Sequence, residues 1–310
     1  LKETLCTGQF IKEICVLVTT ALPQGRGNGE MEEKWTTVLK PHTKWGSINI
    51  KELLSYKDLI FLFVKRNYVT KYKQTILGPL WLVISPLMTT LIFVVIFGNI
   101  AGLSTDGTPH MAFYMAGNVV WAYFAACVNQ TSNTFVNNAS VFGKVYFPRM
   151  VVPVSTVLTG LLDFLVQFVL LLIILLYYTI TGVKIAWNIW VLATPLLVLQ
   201  LALLGMGIGI IVSSLTTKYR DLTILVTFGV QLWMYASPVV YSITQIPEKY
   251  RFLYLLNPVS PIITMFRYAF LGTGELPLLS WGISWLTTLV VLVIGVLLFG
   301  RIEKTFMDTV

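Results

Sequence analysis

Asp163 is the only acidic residue set well inside one of the chain's long apolar runs. A carboxylate at that depth costs about 2.5–3.5 kcal/mol on insertion scales, so it belongs against protein or water rather than lipid. Ser155, Thr159 and Gln167 stand at four-residue steps around it, which on a helix gathers all four on one stripe. A stripe of that kind either walls a polar pathway or hydrogen-bonds helices together, and the residue types fit both. A second cluster, FGKVYFPR from Phe142 to Arg149, is basic and aromatic, with a proline that limits helix continuation. Lys144 and Arg149 offer charge, and Phe142, Tyr146 and Phe147 offer flat apolar surface. That is chemistry for docking a partner.

Other residue types exclude more than they offer. Gly205, Gly207 and Gly209 (GMGIG) imitate a nucleotide loop only superficially, because no strand precedes them. Inside an apolar helix, Gly205 and Gly209 instead make a small-xxx-small face for close packing. No GxxxxGK[ST] occurs, so any ATP hydrolysis must come from a partner chain. Cys6, Cys15 and Cys127 show no CxxC spacing, and His42 and His110 show no ligand pattern. Neither a disulfide framework nor a metal site is expected.

The elements that position these residues are membrane helices. With 56% hydrophobic and 12% charged residues and a mean hydropathy of +0.76, the chain has more apolar surface than one soluble core would hide. Its net charge of +8 sits mostly at the flanks of apolar runs, where cations set orientation and meet anionic headgroups, so nucleic acid is not the expected partner. Six spans are expected, at about 80–98, 111–135, 150–180, 188–214, 222–240 and 278–300, with Pro86 kinking the first. The inner-side cations are Lys65, Arg66, Lys71, Lys73, Lys144, Arg149, Lys218, Arg220, Arg301 and Lys304; the outer side has Lys184, Lys249, Arg251 and Arg267. Both termini and the FGKVYFPR loop therefore read as cytosolic.

Ahead of the spans, residues 1–48 read as an extension that includes the flexible stretch QGRGNG; whether residues 1–30 are native or precede a start at Met31 stays open. Residues 49–78 read as an interface helix region whose apolar run, Leu59–Val64, is too short to span, with Lys65, Arg66, Lys71 and Lys73 reaching headgroups. The outer segment 241–277 is too apolar for a wet loop and is broken at Pro258 and Pro261, which suggests short re-entrant helices buried in protein or lining water. A short cytosolic tail, 303–310, closes the chain. Trp121, Tyr123, Trp233, Tyr235 and Tyr241 are among the aromatics crowding the span ends. They suit an interfacial belt, and they equally suit a weak stacking surface for sugar rings.

KYKQTILGPLW, Lys71 to Trp81, running into VISPL, resembles the start of the first span in permease subunits of type-2 ABC exporters, above all those exporting lipid-linked polysaccharide such as O-antigen, capsule or teichoic acid. FGKVYFPR, TKYRDL at Thr217–Leu222, SPVVY at Ser237–Tyr241 and LNPVSP at Leu256–Pro261 extend the resemblance in order and spacing across Lys51 to Arg301. It implies an all-α, six-span membrane protein with a cytosolic amphipathic N-terminal helix, acting as a homodimer with two cytosolic ATPase subunits. ATP and Mg would sit on those subunits and no cofactor on this chain, which would be a non-enzymatic permease of the bacterial cytoplasmic (inner) membrane. The cargo implied is an undecaprenyl-linked glycan moved outward.

By the same resemblance the 142–149 loop is similar to a coupling helix, placing Phe142, Lys144, Tyr146, Phe147 and Arg149 against the ATPase. The interface helix would border a lateral entrance, and the short helices before the last span would form an outer gate. Lys218, Arg220 and Asp221 read either as an orientation signal with a helix-start carboxylate or as a second ATPase contact. A substrate pathway is expected along Asp163, Gln167, Trp121, Tyr123, Trp233, Tyr235 and Tyr241. Two rivals remain. A secondary transporter or channel would normally pair intramembrane charges, and a membrane glycan transferase would arrange acid/base groups on its outer loops.

Overall fold

The least hydropathic of the long helices is the one the others surround, and this inversion organises the molecule. The computed structural model describes residues 50–309 apart from 74, 143–146, 184, 186, 187, 217, 218, 220 and 275. Every regular element among the described residues is a helix, with no strand among them. Helices α1 (Ile50–Ser55) and α2 (Lys57–Tyr72) precede α3 (Gly78–Ile100), α4 (His110–Ser132), α5 (Thr134–Phe142), α6 (Val151–Ile180) and α7 (Ile189–Thr216). Then come α8 (Leu222–Tyr235), α9 (Glu248–Leu256), α10 (Val259–Leu271) and α11 (Leu278–Thr309).

Five helices, α3, α4, α6, α7 and the Leu278–Arg301 part of α11, are long and apolar enough to cross a bilayer. Of these, α4 is 78% enclosed, whereas α3 and α11 are 22% enclosed. The cause is compositional. Lipid tails solvate aliphatic side chains as well as protein does, so the helix richest in small and polar residues is the one that gains by being surrounded.

Glycines set how close that packing is. A Cβ on Gly205 would lie 2.6 Å from Cys127 Cβ, and one on Gly209 would lie 2.5 Å from Thr131 Cβ, so this face of α7 meets α4 nearly backbone to side-chain root. Gly207, on the other face, lies against Leu292 and Gly295 of α11.

Helix breaks follow local chemistry. In NQTSNT, Ser132 Oγ and Asn133 Nδ2 both donate to the Asn129 carbonyl, and Thr134 Oγ1 donates to that of Thr131. Side chains thus compete for the backbone acceptors. The expected second span ends at Ser132, and α5 continues it as a separate helix. Pro86 lies inside α3, and Thr90 Oγ1 donates 2.7 Å to its carbonyl.

The expected 222–240 span is helical only over Leu222–Tyr235. At 14 residues it is about 21 Å long. Pro238 has no N–H for the helical ladder, and its carbonyl accepts from Arg267 instead. The segment after it holds two short helices of unlike fate. Helix α10 is buried over Val259–Arg267, whereas α9 exposes Tyr250, Phe252 and Leu256.

Ring contacts fix the two ends of the bundle. Phe135 stacks on Phe299 at 4.8 Å, joining the ends of α4–α5 and α11. At the opposite end, Phe93 and His110 flank Tyr114, and Arg267 lies over Phe113.

Candidate functional site

The polar stripe of α6 begins with internal bonds and ends in an open contact. Ser155 Oγ donates to the Val152 carbonyl at 2.8 Å and Thr159 Oγ1 to the Ser155 carbonyl at 2.7 Å, so both hydroxyls are satisfied within the helix. Asp163 is different. It accepts from Lys71 Nζ at 2.5 Å on one oxygen and from the Tyr72 hydroxyl at 3.0 Å on the other. Both donors belong to the last turn of α2, so the carboxylate inside α6 is held by the end of the interface helix.

This contact closes one side of a cavity of about 310 Å³ whose lining includes Trp81, Ser85, Tyr123, Asp163 and Gln167. The Gln167 Oε1 is buried there without a hydrogen-bond partner among the described residues. Burial first, and then the neighbouring Asp163, push the Tyr72 phenol up from its ordinary range, keeping it a neutral donor. The Lys71 side chain is 43% exposed and that of Asp163 9%, so one partner reaches solvent while the other depends on the pair. Such an arrangement can open without stranding the lysine, but not without stranding the carboxylate.

Farther back along α2, Arg66 Nη2 donates to Asn67 Oδ1 and, at 3.0 Å, to Asn138 Oδ1 of α5. Its guanidinium lies 4.5 Å over the Phe63 ring, and burial lowers its pKa. Phe63 is fully buried and touches Phe147 at 5.6 Å; Phe147 touches Phe142 at 5.7 Å; Phe142 touches Phe135 at 5.9 Å. Arg149, itself buried, places its guanidinium 5.6 Å over the Phe142 ring. A continuous aromatic row therefore joins α2 to the 142–149 elbow and, through Phe135 and Phe299, to the last helix.

Of the elbow residues, Phe142, Phe147 and Arg149 face inward, and Lys144 and Tyr146 lie outside the described residues. Lys218 and Arg220 also lie outside them, while Asp221 is exposed at the start of α8. Lys65 and Lys73 are exposed on and just beyond α2.

The aromatics fall in three places. Tyr123 packs on Phe164 at 5.3 Å and lines the Asp163 cavity. Trp121 is buried against Phe124 and lies 6.4 Å from Trp233, in a cluster between α4 and α8. Tyr241 donates to the exposed Tyr235's carbonyl at 3.2 Å and shares a 2.8 Å hydrogen bond with the Tyr254 hydroxyl.

Sequence reasoning placed Lys71 and Asp163 in separate groups, and it missed Tyr72 and Phe63. The signal for Tyr72 was its position beside Lys71 at the end of a helix that has to turn into the first span. Arg267 was counted among outer-end cations, but it is buried. Its Nη1 donates to the Pro238 carbonyl at 2.6 Å, its Nη2 to that of Val239 at 2.5 Å, and its Cζ stands 3.7 Å over the Phe113 ring. A lone cation in an apolar helix was the available signal.

Residues 58–271 match the ABC-2 type transporter family model. The chain is 29% identical over 263 residues to an O-antigen export system permease protein RfbA of Klebsiella pneumoniae, covering 84% of this chain and 99% of that relative. It is 28% identical to a protein of the same name from Myxococcus xanthus over 71% of this chain and 83% of that one. It is 22% identical to the polysialic acid transport protein KpsM of Escherichia coli over 79% and 93%. The matched stretch contains α2, the Asp163 contact, the elbow and both short helices, so the residues that meet at this site are those of a membrane permease belonging to the ABC-2 type transporter family.

Proposed function

We propose that the chain is the membrane subunit of an ATP-driven exporter that moves an undecaprenyl-linked polysaccharide, of the O-antigen, capsule or teichoic acid type, outward across the bacterial cytoplasmic membrane. The observation that carries this reading is its similarity to an O-antigen export permease along nearly that relative's whole length. The working unit is a homodimer with two cytosolic ATPase subunits, which bind the ATP and Mg. Both termini and the elbow are cytosolic, α8 with the turn after it makes the fifth of six crossings, and α9 and α10 form the outer gate.

The geometry supports a specific coupling route. ATP-driven closure of the partner moves the elbow, and Phe147 passes that motion to Phe63 on α2. The far end of α2 carries Lys71 and Tyr72, so displacing the helix draws both donors off Asp163 and opens the cavity beside α6. Ligand-driven motion needs different affinities for the two states, and here the ATPase supplies most of that difference. In the closed state the pair satisfies the carboxylate; in the open state water and the polar part of the substrate take over as donors.

Deleting the gene tests the cargo. A lipid-linked polymer should accumulate on the cytosolic side, and the absence of any glycan intermediate would replace the export reading. Lys144→Glu tests the ATPase contact: export should fail while the protein inserts normally, and normal export with normal ATPase association would sink that contact. Arg149→Glu is a poor probe, because Arg149 is buried and a glutamate there would disturb folding itself.

A further inference from the structure

Between α8 and α10 the chain makes an excursion that is pinned at its base and loosely packed in its middle. At the base, Asn257 Nδ2 donates to Ser237 Oγ at 2.9 Å, so the two ends of the excursion meet. Arg267 of the buried α10 then holds the residues that follow Ser237, through the carbonyls of Pro238 and Val239. The middle is different. Lys249, Tyr250, Arg251 and Phe252 of α9 are all exposed, and four successive residues go once round a helix, so this turn offers the bundle no buried face. Beneath it lies a cavity of about 360 Å³, with Ile243, Arg251 and Tyr254 on one side and Thr264, Leu279 and Ser280 of α10 and α11 on the other. A void forfeits the contacts that would hold two surfaces together, so packing alone does little to keep residues 242–256 down.

The tip is held by a carboxylate. Asp106, in the connection between α3 and α4, accepts from the Ser242 hydroxyl on one oxygen and from Thr244 Oγ1 at 2.9 Å on the other. Beside it, Gln245 Nε2 donates to the Ser104 carbonyl at 2.6 Å. Thr108 N donates to the Thr105 carbonyl at 3.1 Å, and φ is positive at both central residues, 51° at Asp106 and 79° at Gly107, as in a type I′ turn. The two threonine hydroxyls brace this turn, Thr105 Oγ1 donating to the Thr108 carbonyl at 2.6 Å and Thr108 Oγ1 to that of Thr105 at 2.7 Å. Aspartate is among the few side chains that enter the left-handed region readily, and here a braced turn presents its carboxylate to residues 242–244.

Base and tip differ in how easily they part. Arg267 is buried, so separating it from its carbonyls would strand unpaired groups, whereas Thr244 and Gln245 are exposed and water can replace their partners. The excursion therefore opens at the tip first.

We propose that residues 242–256 form a flap over the end of the bundle opposite the elbow, and that Asp106 is the latch that keeps it shut. The flap's part in an outer gate rests on the export reading, in which α9 becomes the leaf that moves and α10 the frame it closes on; the latch itself does not.

Thr264→Cys puts a thiol under the flap, and its reaction with a water-soluble maleimide is followed in the purified full chain in an uncharged maltoside detergent. Peptide mass spectrometry at that site keeps Cys6, Cys15 and Cys127 out of the reading. Asp106→Gly should raise the rate about tenfold or more, because glycine keeps the positive φ and removes only the latch. Ser242→Ala combined with Thr244→Val should do the same from the other side. Asp106→Asn, which tolerates the left-handed backbone and still hydrogen-bonds, should stay close to the parent. Hydrogen exchange in the same proteins separates a freed flap from a loosened molecule: it should quicken over 242–256 and stay unchanged in α4. An unchanged rate in Asp106→Gly, a rise that the Ser242 and Thr244 variant fails to reproduce, or exchange that quickens throughout the bundle overturns the latch. Neither measurement needs cargo or ATPase, so a failed latch leaves the export reading standing, and the reverse.

Discussion

Asp163 meets its insertion cost with two donors from outside its own helix, and the asymmetry of that arrangement is what makes it usable. Removing one partner of an enclosed ion pair leaves an uncompensated charge, whereas a swap keeps both. Lys71→Asp alone should therefore abolish export, and Lys71→Asp combined with Asp163→Lys should recover part of it, measured as surface polysaccharide at equal protein level. Failure of the swap together with full activity of Asp163→Asn would remove the pair from the mechanism. Arg267 makes the opposite use of charge. It has no described carboxylate in contact and is held by carbonyls and a ring. Gly117 is what lets it fit, since a Cβ there would lie 2.5 Å from Arg267 Nη2 and 2.8 Å from the Val239 carbonyl. Gly117→Ala should cost about 1–3 kcal/mol of stability by overpacking, read as a lowered thermal midpoint of the purified protein.

Among elements, the α4–α7 contact is where spacing translates most directly into packing. Gly205→Val should push α7 off Cys127 and destabilise the bundle by about 1–3 kcal/mol. Gly229 in α8 meets nothing within 4 Å, so Gly229→Ala should instead gain about 0.5–1 kcal/mol through helix propensity. Thermal unfolding of both variants in one detergent reads the two signs together. Helix α2 carries the other element-scale consequence. Its buried Ile60 and Phe63 face the bundle while Phe61 and Leu54 are exposed, so the α1–α2 segment has apolar surface on both sides, which suits the proposed place of this helix between protein and lipid. Phe147→Ala removes the ring through which the elbow reaches this helix. The variant should keep ATPase association and lose most export, and normal export would show that the aromatic row carries no motion.

For the molecule as a whole, periodicity and composition carried the fold class, because a chain this apolar has to satisfy its backbone internally and helices do so without long-range information. The long spans were legible for that reason, and so was the packing face at Gly205 and Gly209, since spacing along one helix is a local property. The motif order, which is also one-dimensional, was enough to point to the family. What the sequence could not give was which polar residues meet. Lys71 and Asp163 are 92 positions apart, and nothing in the spacing of either links α2 to α6. Nor could hydropathy alone show that the least apolar span is the central one, that α8 stops at Tyr235, or that Arg267 is buried rather than interfacial. Each of those depends on which surfaces other helices cover, so the local chain determined the helices and only their mutual packing decided which charges they enclose.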